Sequence, residues 1–70
     1  MTDTFLLVFA KHTAGEDMYY VQHQASKRYY YRCFVRRSDC ERILEAVRDT
    51  FDDVTLRNNF QTNRFDCHVS

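Results

Sequence analysis

The stretch "SDCERILEAVRDTF", residues 38–51, decides the fold. Cys40, Ile43, Leu44, Val47 and Phe51 recur at helical spacing and draw one apolar stripe along one side of a helix. Ser38 followed by Glu41 has the form of a capping box, in which the serine oxygen accepts from the third helical amide and the glutamate reaches back. Asp39 and Glu41 suit the positive end of the helix dipole, and the Asp52-Asp53 pair closes the segment.

The segments around the helix carry strand character. Residues 4–11, "TFLLVFAK", form an apolar run that reads as a strand buried on both faces and central in its sheet. A loop around Gly15, the only glycine, leads to a second strand at 18–24, "MYYVQHQ". After a tight connection, "ASKR", comes a third strand at 29–36, "YYYRCFVR". Beyond the helix, "VTLRNNF" and "RFDCHV" alternate as two further short strands. The order is β-β-β-α-β-β, an α+β domain over residues 1–70: a small, mostly antiparallel sheet with one helix on one face. A single helix covers a single face, so the other face meets water, a partner or a second copy.

Seventy residues make one domain with a small core, and five Tyr and six Phe supply it. Ten basic residues balance ten acidic ones, which argues against a partner held by bulk charge. The balance conceals a segregation. Residues 11–37 hold six cations against Glu16 and Asp17, whereas residues 38–53 hold six acids against Arg42 and Arg48. Such a chain offers a basic face and an acidic face to different partners, or to another copy of itself.

The basic half centres on "KRYYYRCFVRR", residues 27–37. At a period of two, Tyr29, Tyr31, Cys33 and Val35 share one side, and Tyr30, Arg32, Phe34 and Arg36 share the other. The first set is the more apolar and is expected beneath the helix. The second alternates aromatic with cation and is expected outside, where Lys27, Arg28 and Arg37 extend it into a partner-binding surface. Aromatic platforms beside arginine also suit single-stranded RNA or DNA. Against that stand the neutral total, the acidic helix that follows, and the lack of the small residue that RNA-recognition strands place between their aromatics. A second candidate surface is acidic: Glu41, Glu45 and Asp49 step by four along the helix, joined by Asp52. It would meet a basic groove, although the ordinary role of such a row is a solvated outer face.

Catalytic and metal chemistry find no motif. Cys33, Cys40, Cys67 and His68 lack zinc-ligand spacing, and all three cysteines fall on expected core faces as free thiols, which fits a reducing compartment. His12 and His23 have no nucleophile placed beside them by any recognisable motif. No cofactor, metal or enzymatic activity is expected. No apolar run approaches the ~20 residues that cross a bilayer, and "TFLLVFA" is short for a signal peptide and lacks a basic leader. A cytoplasmic location is therefore expected.

In size, α+β plan, lack of a catalytic motif and split charge, the chain resembles the small inhibitor proteins that phages use against host machinery, anti-CRISPR proteins among them. The resemblance lies in the general plan and carries over no residue. It implies a protein that occupies a surface of a larger, nucleic-acid-handling complex in the host cytoplasm, with homodimerisation compatible.

Overall fold

A computed structural model of the chain describes residues 3–11, 15–64 and 68–69. It shows an α+β arrangement with the elements β1 (Phe5–Lys11), β2 (Asp17–His23), β3 (Arg28–Tyr30), β4 (Arg32–Cys33), α1 (Arg37–Thr50), α2 (Asp53–Asn59), β5 (Phe60–Gln61) and β6 (His68–Val69). The main sheet has the order β1-β2-β3-β5 with every neighbour antiparallel. β4 pairs in parallel with β6.

β1 and β2 form the longest ladder, from Phe5↔His23 to Lys11↔Asp17. The expectation that β1 is central is corrected: it is an edge strand, and Leu6 and Phe9 remain exposed. β2 is the central strand, with Met18, Tyr20, Val21 and His23 buried. A continuous apolar run marks burial of some kind, but not which neighbour supplies it.

The third strand is interrupted. β3 pairs with β2 through Gln22↔Tyr29, and the chain rejoins β2 at the Tyr19↔Phe34 bridge. β2 takes three steps between these points while its partner takes five, so two residues are extra. At the break the Tyr31 amide donates to the Asn59 carbonyl at 2.7 Å. The Tyr31 ring turns to Tyr30, with centroids 4.8 Å apart, but an insertion of two keeps Tyr29 with Cys33 and Tyr30 with Phe34.

Their faces, however, are exchanged. Phe34 is buried in the helix-side core with Phe5, Val21, Cys40, Leu44, Val47 and Phe60, and Tyr30 packs against that cluster. Cys33 is buried on the opposite face with Met18 and Tyr20, and Tyr29 packs there. Val35, assigned to the core by its alternation, is exposed. The face away from the helix is thus not open throughout: it holds a second, smaller core.

α1 buries the expected stripe of Cys40, Leu44 and Val47, flanked by Ile43 and Phe51. The capping box does not form. The helix begins at Arg37 behind an extended Arg36 (φ −103°, ψ 135°) that makes no side-chain cap, and Glu41 pairs with Arg37 at 3.2 Å. Starting one residue before Ser38 places this pair at the i, i+4 spacing that suits a helix surface.

The segment expected as the strand "VTLRNNF" is instead mostly α2. Asp52 caps it, accepting from the Thr55 amide at 2.8 Å and the Thr55 hydroxyl at 2.9 Å. Strand geometry begins only at Phe60. Of "RFDCHV", Arg64 is described but lies in no strand, and β6 occupies His68–Val69; Phe65 to Cys67 lie outside the described residues.

The cysteines divide. Cys40 is free and buried, as expected, whereas Cys33 is disulfide-bonded. Cys67 lies outside the described residues. With Cys33 oxidised, cysteine usage no longer assigns a reducing compartment. Among the described residues no helix is long and apolar enough to cross a membrane.

Candidate functional site: an arginine-walled cleft between β4 and α1

An open cleft of about 320 Å³ lies where β4 runs into α1, lined by Arg32, Phe34, Asp39, Arg42 and Ile43. Local structure explains its composition. The break at Tyr31 returns the chain to β2 at Phe34, and α1 starts three residues later. Asp39, Arg42 and Ile43 stand three or four apart and so share a side of the helix. The floor is apolar, since Phe34 is buried and Ile43 half-buried.

The charges are unequal. Arg42 donates to Asp39 across one turn at 3.2 Å. Arg32, half-buried on the β4 wall, joins no ion pair among the described residues, and neither does exposed Arg36. Arg32 sits close to Tyr30, whose hydroxyl is pushed above its usual pKa by burial first and by Tyr31 second; Arg32 pulls it the other way. One paired and one unpaired guanidinium therefore face an apolar floor and a single carboxylate.

The residues expected to bind a partner are not gathered into one row. Arg32 and Phe34 meet in the cleft, Phe34 as floor rather than as an exposed platform. Tyr30 is half-buried against Phe60, with ring centroids 5.6 Å apart. Arg36 and Arg37 are exposed at the start of α1. Lys27 and Arg28 lie at the β2–β3 turn, where Lys27 takes a positive φ of 62°. Asp39, Arg42 and Ile43 were missed because they had been counted as helix surface and core stripe. Their signal was the short Phe34–Arg36 connection, which brings the first turns of the helix beside the strand.

The acidic row is exposed but largely compensated. Glu41 pairs with Arg37 at 3.2 Å and Glu45 with Arg48 at 3.6 Å. Asp49 is exposed, and Asp52 is committed to capping α2. Such surface pairs are worth little energetically, yet they cancel the field that an acidic strip would project.

His23 is buried, and both ring nitrogens are engaged: Nε2 lies 3.0 Å from Asp3 Oδ1 and Nδ1 lies 2.7 Å from Ser26 Oγ. The carboxylate only accepts, so Nε2 donates its hydrogen to Asp3, and the Ser26 hydroxyl engages the other ring nitrogen. The sequence hides this contact, because Asp3 reaches His23 only through the β1–β2 register. Carboxylate, imidazole and hydroxyl in a row can relay a proton. In this row, however, the ring stacks on Phe51 at 5.0 Å, touches Phe5 and Phe60, and is packed like a core residue. Ser26 Oγ also accepts from the Arg28 amide at 3.3 Å, which ties it to the turn. The arrangement serves to pin the hairpin to the chain entering β1.

Among the described residues no group of three or more His, Cys, Asp or Glu could hold a metal. No protein family, curated protein or solved structure matches this chain.

Proposed function

We propose that the chain is a non-enzymatic protein-binding module whose β4–α1 cleft receives an acidic segment of a partner protein. Carrying this reading is Arg32, partly desolvated beside an apolar floor and unpaired among the described residues, across from Arg42. A buried-edge guanidinium without a carboxylate is poised for a charge-assisted, bidentate bond, and an aspartate or glutamate beside an apolar side chain would meet both wall and floor. Exposed Arg36 and Arg37 extend the attraction outward. The resemblance to phage inhibitors suits such a module, which would act by occupying a surface of a larger complex in the host cytoplasm.

The rival, single-stranded nucleic acid, needs exposed aromatic platforms, and burial of Phe34 with half-burial of Tyr30 weakens that case. A fluorescence-polarisation titration separates them, using a labelled peptide of alternating Asp and Leu beside a mixed-sequence oligonucleotide. Peptide binding that falls at least about tenfold in Arg32→Ala, as expected for a lost charge-assisted bond, supports the cleft. Oligonucleotide binding with a steep salt dependence and no peptide binding overturns it. A serine-directed fluorophosphonate that labels Ser26 would contradict the non-enzymatic reading.

A further inference from the structure

The free edge of β1 has a definable hydrogen-bonding pattern. Gln24 donates to the Thr4 carbonyl at 2.9 Å, which makes Thr4 and Gln24 a bonded pair. With a period of two, the bonded pairs along the ladder are Leu6–Gln22, Val8–Tyr20 and Ala10–Met18. The other side of β2 agrees: Tyr19 exchanges both its main-chain bonds with Phe34, at 2.8 and 2.9 Å, so it points away from β1. Phe5, Leu7, Phe9 and Lys11 therefore direct their main-chain groups away from β2, to the open edge. The Phe5 carbonyl accepts from Arg48 Nη2 at 3.2 Å. Among the described residues, Leu7 and Phe9 have no neighbouring strand on that side.

This edge lacks the usual protections. From Thr4 to Ala10 it has no charge, proline or glycine, and Leu6 is 39% and Phe9 56% exposed. The strand's own charges stand at its two ends, Asp3, whose Oδ1 also meets His23 Nε2 at 3.0 Å, and Lys11, while Arg48 reaches the edge from α1 at the Phe5 carbonyl. If a second β1 lies antiparallel with Leu7 opposite Leu7, Asp3 of each copy meets Lys11 of the other. Parallel pairing in register would set like charges together, and an antiparallel shift by two would leave Lys11 opposite Phe5. Charge complementarity thus selects the occupant, the direction and the register.

We propose that β1 pairs with β1 of a second copy, antiparallel about Leu7, to make a twofold-symmetric dimer with a continuous sheet. Leu7 exchanges main-chain bonds with Leu7 of the second copy, and Phe5 with Phe9. The Phe5 carbonyl keeps Arg48 on one lone pair and accepts the new amide on the other. The Phe9 ring comes beside Phe5 of the second copy on the helix side, and Leu6 faces Val8 on the other. This contact is independent of the β4–α1 cleft and leaves it open.

Sedimentation equilibrium of the full chain tests this. A single strand pair makes a small interface, so the mass should rise from 8.5 kDa towards twice that between about 5 and about 500 µM. Over the same range, amide exchange at Leu7 and Phe9 should slow with concentration, while Leu6 and Val8 stay protected throughout. Phe9→Lys should remain at 8.5 kDa with its β1–β2 amides still protected. A constant 8.5 kDa for the parent overturns the proposal, as does a dimer whose Leu7 and Phe9 amides exchange freely or one that Phe9→Lys leaves unchanged.

Discussion

Replacing Phe34 with alanine separates a core residue from a surface one. Phe34 is 3% exposed and lies against Phe5, Val21, Cys40, Leu44, Val47 and Phe60. Removing a buried phenyl ring loses its transfer free energy and leaves a cavity that neighbours fill only partly, about 3–5 kcal/mol together. A domain of this length is stable by roughly 3.5–10 kcal/mol at the usual value per residue. The variant should therefore lose roughly three tenths of its stability at least, and in the lower range it should not fold. Where a transition survives, its midpoint should fall by about 15–30 °C, at the several degrees per kcal/mol typical of small domains. Urea titration followed by near-ultraviolet circular dichroism measures the loss, with Arg32→Ala as the control expected to stay within about 1 kcal/mol of the parent. A Phe34→Ala protein within 1 kcal/mol of the parent would refute the exchange of faces, because only an exposed ring could be removed so lightly.

Three further outcomes follow from local chemistry. Tyr20 is fully buried, its hydroxyl has no hydrogen-bond partner among the described residues, and burial raises its pKa against the opposing charge of Arg64; Tyr20→Phe should leave stability unchanged or raise it by up to about 1 kcal/mol in the same titration. Burial, with a smaller contribution from Glu41, pushes the Cys40 thiol up to about 11, so iodoacetamide at pH 8 should leave Cys40 unmodified in the native protein and alkylate it in denaturant, as peptide mass spectrometry would show. The Asp52 carboxyl is held below its ordinary 3.8, chiefly by the Thr55 amide and then by the Thr55 hydroxyl. Its support for α2 is present above that value and is lost as the pH falls through the lowered one; Asp52→Ala should lose it at every pH, read as faster amide exchange at Thr55.

The helix was legible because its stripe repeats over about three turns at a period that no strand reproduces. The first hairpin was legible because the apolar run at 4–11 and the strand-like run at 18–24 flank the segment around Gly15. The exchange of faces was not, because counting apolar residues penalised the set that holds Arg32 and Arg36. Phe34 nevertheless buries its ring while Arg32 carries its charge to the cleft wall and Arg36 stays exposed. Val54 and Leu56 alternate too briefly to distinguish strand from helix; the deciding signal was Asp52-x-x-Thr55, read as the end of one helix when it begins another. The Asp3–His23 contact needs the strand register, which no local pattern supplies.

The measurement that tests the cleft most directly is a nuclear magnetic resonance titration of the labelled chain with the Asp-Leu peptide. The account predicts shifts concentrated at Arg32, Phe34, Asp39, Arg42 and Ile43 that vanish in Arg32→Ala, with the resonances of the helix-side core otherwise unmoved. Shifts centred on Glu41, Glu45 and Asp49, or shifts that persist unchanged in Arg32→Ala, would contradict it.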